Sequence, residues 1–232
     1  MGARDRCVWT PAPLLAAVAL LLALPAQARD GVEWKDISQF EIRVNILMKT
    51  DLELQNVQEA THSNSVLLQS ADLFVPPARW AGFISLEKAH RSYFRIGRRD
   101  AAQSESGLRK WVGEVFEGTK PSIERTQALR PRDGVGRVAY ADQDCIFGAG
   151  AYALDVSLTG PDDYCDTLVF LAYCGHPRDF DEIVGFLEGV ELASQSDNRA
   201  AYAARSGTRS RITKRAPDEG GELDLGESDI LQ

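Results

Sequence analysis

Leu168-Val169-Phe170-Leu171-Ala172-Tyr173, followed at once by Cys174, decides the reading of this chain. The run from Thr167 to Cys174 is apolar at nearly every position, which predicts a strand covered on both faces and therefore central in its sheet. Its neighbours upstream behave differently. Leu154, Val156 and Leu158 alternate with Asp155 and Ser157, so the strand predicted from Ala149 to Leu158 buries one face only. A further strand is predicted from Arg137 to Phe147, with Gly148-Ala149-Gly150 as the turn or bulge between the two. A phosphate cradle would need such glycines to open a helix, whereas a strand pattern follows here.

Downstream of the central strand, Phe180, Ile183, Val184, Leu187 and Val190 form one apolar stripe, predicting a helix over Phe180 to Val190. Asp179 suits its N-cap, with Glu182 three residues later. Gly185 and Gly189 weaken it by about 1 kcal/mol each relative to Ala, so it depends on docking against the sheet. Asp179, Asp181 and Glu182 resemble paired acid-base carboxylates, but a first helical turn favours carboxylates through its dipole. A second helix is predicted from Ser104 to Phe116, where Leu108, Trp111, Val112, Val115 and Phe116 share a stripe. Ser104 or Ser106 caps it and Gly118 terminates it. Trp111 and Phe116 read as packing residues.

The N-terminal half predicts more strands. Phe40, Ile42, Val44, Ile46 and Met48 alternate with polar residues, giving a strand from Phe40 to Met48. Asp51 to Ser65, which includes His62, is polar and reads as a long connection, and Val66 to Val75 is a second apolar stretch stopped by Pro76-Pro77. Ala81 to Leu86 predicts a strand and Ser92 to Ile96 a short one. Thr119 to Gly136 reads as loop, with Pro121, Pro131 and the Asp133-Gly134 turn signal. Runs of strands between separated helices predict an α+β domain over residues 32 to 194, a single antiparallel sheet packed by two helices.

Both termini depart from this composition. Arg4 and Arg6, the apolar run Leu14 to Leu24 and Ala26-Gln27-Ala28 together read as a secretory signal over residues 1 to 28, too short to span a bilayer permanently. At the other end, Arg199 to Arg215 holds six basic residues and Asp218 to Asp229 six acidic ones. Residues 195 to 232 therefore read as a disordered charged tail, with a short helix through Ala200 to Ala204 inside it.

Loss of the signal leaves 204 residues with 24 Lys+Arg against 33 Asp+Glu, since the signal carries two basic residues and one acidic one. That balance argues against nucleic acid as a partner. No later apolar run approaches 18 residues, so no transmembrane segment is expected in the mature chain. The address is periplasmic or secreted. Lys88, His90, Arg91, Arg95, Arg98 and Arg99 form the main basic cluster, and its Arg91, Arg95, Arg98 and Arg99 together with Arg79 and Trp80 make the candidate interaction surface, facing an envelope protein or an anionic ligand.

Cys7 leaves with the signal, so Cys145, Cys165 and Cys174 remain, which in an exported chain implies one disulfide and one free thiol. C-x19-C-x8-C lacks the close pairs of structural zinc sites, and no histidine pattern matches a metal motif. A Cys145–Cys174 bridge would close about 30 residues, worth roughly 3 to 4 kcal/mol in the chain-entropy model. Cys145–Cys165 is the rival pairing, and it would lock the acidic loop Pro161 to Tyr164. Cys174-Gly175-His176 also offers a thiol near an imidazole, so a thiol-dependent hydrolase or thiol-disulfide protein using Cys174 or Cys165 with His176 is the enzymatic alternative.

Cys145-Ile146-Phe147, the strand ending in Tyr173-Cys174, the helix from Asp179 to Val190 and the phrase Pro77-Ala78-Arg79-Trp80-Ala81-Gly82 resemble a group of small exported alphaproteobacterial proteins with no assigned function. The resemblance covers about half of the mature chain. It implies that Cys145 and Cys174 are the shared pair and Cys165 the addition, and it carries no catalytic residues. The function expected is an exported binding or accessory protein without an evident catalytic site and without a cofactor.

Overall fold

The computed structural model describes residues 32–62, 66–75, 79–89, 100–116, 121–142, 144–155 and 165–213. The signal, the short strand expected from Ser92 to Ile96, the Gly118 terminator, Arg91, Arg95, Arg98 and Arg99 lie outside them, as do residues 214–232.

Eight strands form one antiparallel sheet: β1 (Lys35–Asp36), β2 (Glu53–His62), β3 (Val66–Val75), β4 (Arg79–Ala89), β5 (Ile123–Leu129), β6 (Gly134–Ala141), β7 (Cys145–Tyr152) and β8 (Thr167–Cys174). Their spatial order is β1-β2-β3-β4-β8-β7-β6-β5, so two four-stranded meanders meet at the β4–β8 seam. The expected central strand is β8: Val169, Leu171 and Tyr173 face one core and Leu168 and Ala172 the other. An antiparallel sheet can leave one face to water. Here helices sit on both sides. Beneath the first face lie α1 (Ile46–Lys49), α4 (Phe180–Glu188) and the segment before α1, which contribute Ile42, Val44, Ile46, Leu47, Ile183, Phe186 and Leu187 to the core. On the second face α2 (Asp100–Gln103) and α3 (Glu105–Val115) cover β6 and β7 with Ala101, Ala102, Leu108 and Val112.

The two predicted helices are α3 and α4, and α3 begins as expected, with the Ser104 hydroxyl accepting the Gly107 N–H at 2.9 Å. Among the described residues three further helices join them, so the two-helix expectation is too sparse. The predicted strand from Phe40 to Met48 is instead a capped 3₁₀ turn, Gln39–Glu41, followed by α1. Its alternation is genuine burial of Ile42, Val44 and Ile46, but only Val44 makes a ladder contact, a single bridge to Leu192. Glu41 returns a bond to the Ser38 N–H at 2.8 Å, which closes the turn locally.

The connection expected from Asp51 to Ser65 is largely β2. Its buried residues are Leu54, Val57 and Ala60, spaced by three because a bulge between Gln55 and Gln58 places Asn56 at φ 48°. A bulge erases the two-residue period on which strand recognition rests. The loop expected from Thr119 to Gly136 contains β5, an edge strand with little burial. The chain does not turn at Gly148 as expected and reverses instead between Ala141 and Cys145, where Asp144 has φ 56°. Gly148 is interior to β7 because a Cβ there would sit 2.3 Å from Leu187 Cδ1, so its absence lets α4 approach the sheet.

The tail expected to begin at residue 195 opens with α5 (Gln195–Thr213). Ser194 starts it, its hydroxyl accepting the Asp197 N–H at 3.2 Å. Fully buried Asn198 then donates to the carbonyls of Phe40 and Ile42 at 3.2 and 2.9 Å, and Tyr202 packs edge-on against Phe40. Composition suggested a solvated segment because this attachment uses the Asn198 amide, the Tyr202 ring, Arg199 over Phe40 and the Arg205–Asp51 ion pair at 3.6 Å instead of an apolar stripe.

Candidate functional site at the disulfide end of the sheet

Cys145 opens β7 and Cys174 closes β8, and the antiparallel register makes them direct partners. They form a disulfide, with Cα atoms 4.1 Å apart. The chain then turns sharply: the Gly175 N–H donates to the Asp144 carbonyl at 3.0 Å, exposed His176 follows, and a 3₁₀ turn over Pro177–Asp179 leads into α4.

That turn places Asp179 under the last residues of β8. Its carboxylate accepts the Tyr173 phenol instead of capping α4, for which no side-chain cap bond forms. Burial, reinforced by the adjacent Asp179 carboxylate, pushes the Tyr173 hydroxyl well above the usual phenol range, and Arg79 opposes this only partly. The phenol is therefore protonated at neutral pH. Tyr173 also meets Phe180 edge-on, Phe180 packs against Tyr140, and the Arg125 guanidinium lies 3.7 Å above the Tyr140 ring. One line of aromatic rings thus ties β8, α4 and β6 together, with a cation at its outer end.

Arg79 is exposed at the start of β4 and Trp80 beside it is partly exposed; both belong to this end, because Gly82 pairs with Tyr173 across the seam. Arg91, Arg95, Arg98 and Arg99, expected on the same surface, lie outside the described residues. The structure thus brings together Arg79, Trp80, Cys145, Cys174 and His176. Cys165 is buried and precedes β8 at the opposite end, roughly 24 Å of strand from Cys174. The rival Cys145–Cys165 pairing is excluded by this geometry, and neither sulfur is a free thiol beside His176.

Chemically, this end offers a rigid frame and an outward display. Tyr173 is fully buried, so its bond to Asp179 holds a strand end to a helix start, while Arg79, Trp80 and His176 face outward. Glu182 is also structural, accepting the Asp51 N–H at 3.1 Å. The Tyr173–Asp179 bond and the Arg125–Tyr140 contact escaped sequence reasoning; an i,i+6 pair across a 3₁₀ turn and a pair of directly opposed residues on two edge-side strands have no linear signature. Among the described residues no group of three or more His, Cys, Asp or Glu is arranged to hold a metal ion, and no helix is long and apolar enough to cross a membrane. No protein-family model matches the chain, and neither curated proteins nor solved structures give a match.

Proposed function

We propose that this chain is an exported binding or accessory protein of the cell envelope, acting through a rigid contact surface that includes Arg79 and Trp80. The observation that carries the reading is the Cys145–Cys174 bridge: a disulfide between directly paired strands persists in oxidising compartments and is rare where thiols are kept reduced. The bridge holds the strand ends beside which Arg79 and Trp80 stand. A cation beside a partly exposed indole is a suitable anchor for a partner with an anionic or aromatic group. Arg91, Arg95, Arg98 and Arg99 complete the proposed basic surface for the same class of partner.

Two measurements test this. Denatured protein taken from the exported fraction should show a single reactive thiol, that of Cys165, and three reactive thiols would refute export to an oxidising compartment. A photocrosslinking side chain at position 80, in cells expressing the full chain, should give one discrete adduct that Arg79→Glu abolishes. Adducts that persist unchanged in Arg79→Glu would remove Arg79 from the contact surface.

A further inference from the structure

The chain is fixed up to the residue before Ser194: Ala193 is buried and donates its N–H to the Arg43 carbonyl at 2.9 Å, and Leu192 bridges Val44. Beyond that point the attachment changes character. Of residues 195–205 only Asn198 is buried, and among the described residues none of α5 belongs to either hydrophobic core. A surface helix ordinarily docks through an apolar stripe. α5 is seated instead by the Asn198 amide on the Phe40 and Ile42 carbonyls, by Tyr202 edge-on to Phe40 at 5.5 Å between centroids, by the Arg199 guanidinium 5.7 Å from the same ring, and by the Arg205–Asp51 ion pair at 3.6 Å.

These ties can break without disturbing the sheet. Asn198 Oδ1 has no hydrogen-bond partner among the described residues, so seating leaves a buried acceptor unsatisfied, a penalty that opening relieves. The ion pair joins side chains that are 25% and 67% exposed, and salt screens such a pair. Phe40 packs against the first core from its other side, so the turn that carries it does not depend on Tyr202. α4 is the contrast: it contributes Ile183, Phe186 and Leu187 to that core and cannot leave without opening it.

We infer that α5 is a releasable, salt-sensitive strap, hinged at Ser194, that lifts as a unit while the eight-stranded sheet stays folded. Seated, it covers the outer side of the Phe40 ring and the carbonyls of Phe40 and Ile42. Released, it uncovers that turn and sets free the guanidinium groups of Arg199 and Arg205. The device uses no residue of the surface at Arg79 and Trp80, so it stands apart from the role given to them.

The test is native-state amide exchange on the full chain. Amides of residues 201–204 should open at least about a hundredfold more often than those of β8, with little dependence on denaturant, as a local opening requires. Raising salt from about 0.05 M to about 0.5 M should increase the α5 opening about two- to fivefold, the range of a screened surface pair. Asp51→Asn should produce that increase at low salt and abolish the salt response, and Asn198→Ala should raise the opening about tenfold or more with β8 unchanged. Exchange of residues 201–204 only together with β8 would overturn the strap, as would an Asn198→Ala chain that fails to fold. A salt response that survives intact in Asp51→Asn would overturn its ionic control.

Discussion

Replacing both Cys145 and Cys174 by Ala probes the frame most directly. The two residues are 29 apart in sequence, so the bridge closes a loop of about 30 residues, and the chain-entropy relation then gives a stabilisation of about 3.6 kcal/mol at 25 °C. For a domain of this size each kcal/mol moves the melting midpoint by roughly 2 to 4 °C, so a fall of about 7 to 14 °C is expected. The two sulfurs sit at strand ends that are already paired by register, so the native sheet should persist in the variant. Urea unfolding should show the lower midpoint together with a steeper dependence on denaturant, because the uncrosslinked unfolded chain exposes more surface. Reduction of the wild-type protein should reproduce both changes. A loss below about 1 kcal/mol, or a variant whose β7–β8 amides lose their protection while the rest of the sheet keeps it, would refute the entropic account. The second outcome would show that the bridge determines the register instead of merely securing it.

Asn198→Ala removes two buried donors and leaves the Phe40 and Ile42 carbonyls without them; a cost of about 1 to 3 kcal/mol is expected, with faster amide exchange in α5 than in β8. Uniform acceleration throughout the sheet would contradict a local seat for this helix. Tyr152 and Tyr173 are both held above the usual phenol range, chiefly by burial. Their contribution is complete below the unfolded value of about 10 and is lost as pH rises above it. Absorbance titration should therefore show two of the six tyrosines ionising only as the domain unfolds, whereas six phenols titrating near 10 in a folded domain would be inconsistent with the burial described. Gly82→Ala would place a Cβ 1.9 Å from the Ala172 carbonyl oxygen, a backbone atom that cannot swing aside, so a loss of about 3 kcal/mol or more is expected from chemical denaturation. Near-neutral stability would mean that the seam tolerates a wider strand separation than the structure has.

The parts of the fold that were legible are those whose signal is local and redundant. β8 is apolar at successive positions because both faces are covered, and α3 combines a stripe at helical spacing with a serine cap. β2 and β5 were not legible because one carries a bulge and the other is an exposed edge, and either condition removes the alternation that marks a strand. Gly148 misled for a different reason: local sequence favours a turn there, while the requirement that excludes a side chain comes from Leu187, thirty-nine residues later. The same distinction holds at the candidate site. A sequence resemblance implied the Cys145–Cys174 pair, but the bond from Tyr173 to Asp179 depends on how tightly the chain turns after Gly175.

The placement of the fixed points has a consequence for how the surfaces can act. The disulfide secures β7 to β8, and Asn198 secures α5 to the segment before α1; neither crosses from β4 to β8. That seam is held by its backbone ladder, by the Lys88–Asp166 ion pair at 3.7 Å near the start of β8, and by the two cores on either side of it, where Ile84 and Leu171 are paired on one face and Phe83 and Ala172 on the other. The proposed contact surface at the disulfide end straddles it. Arg79 and Trp80 belong to β4, while exposed His176 follows the bridged end of β8. A partner that touches both sides of this surface therefore adds contacts at the end of the junction opposite the Lys88–Asp166 ion pair, and binding there should stabilise the whole sheet more than binding confined to either meander.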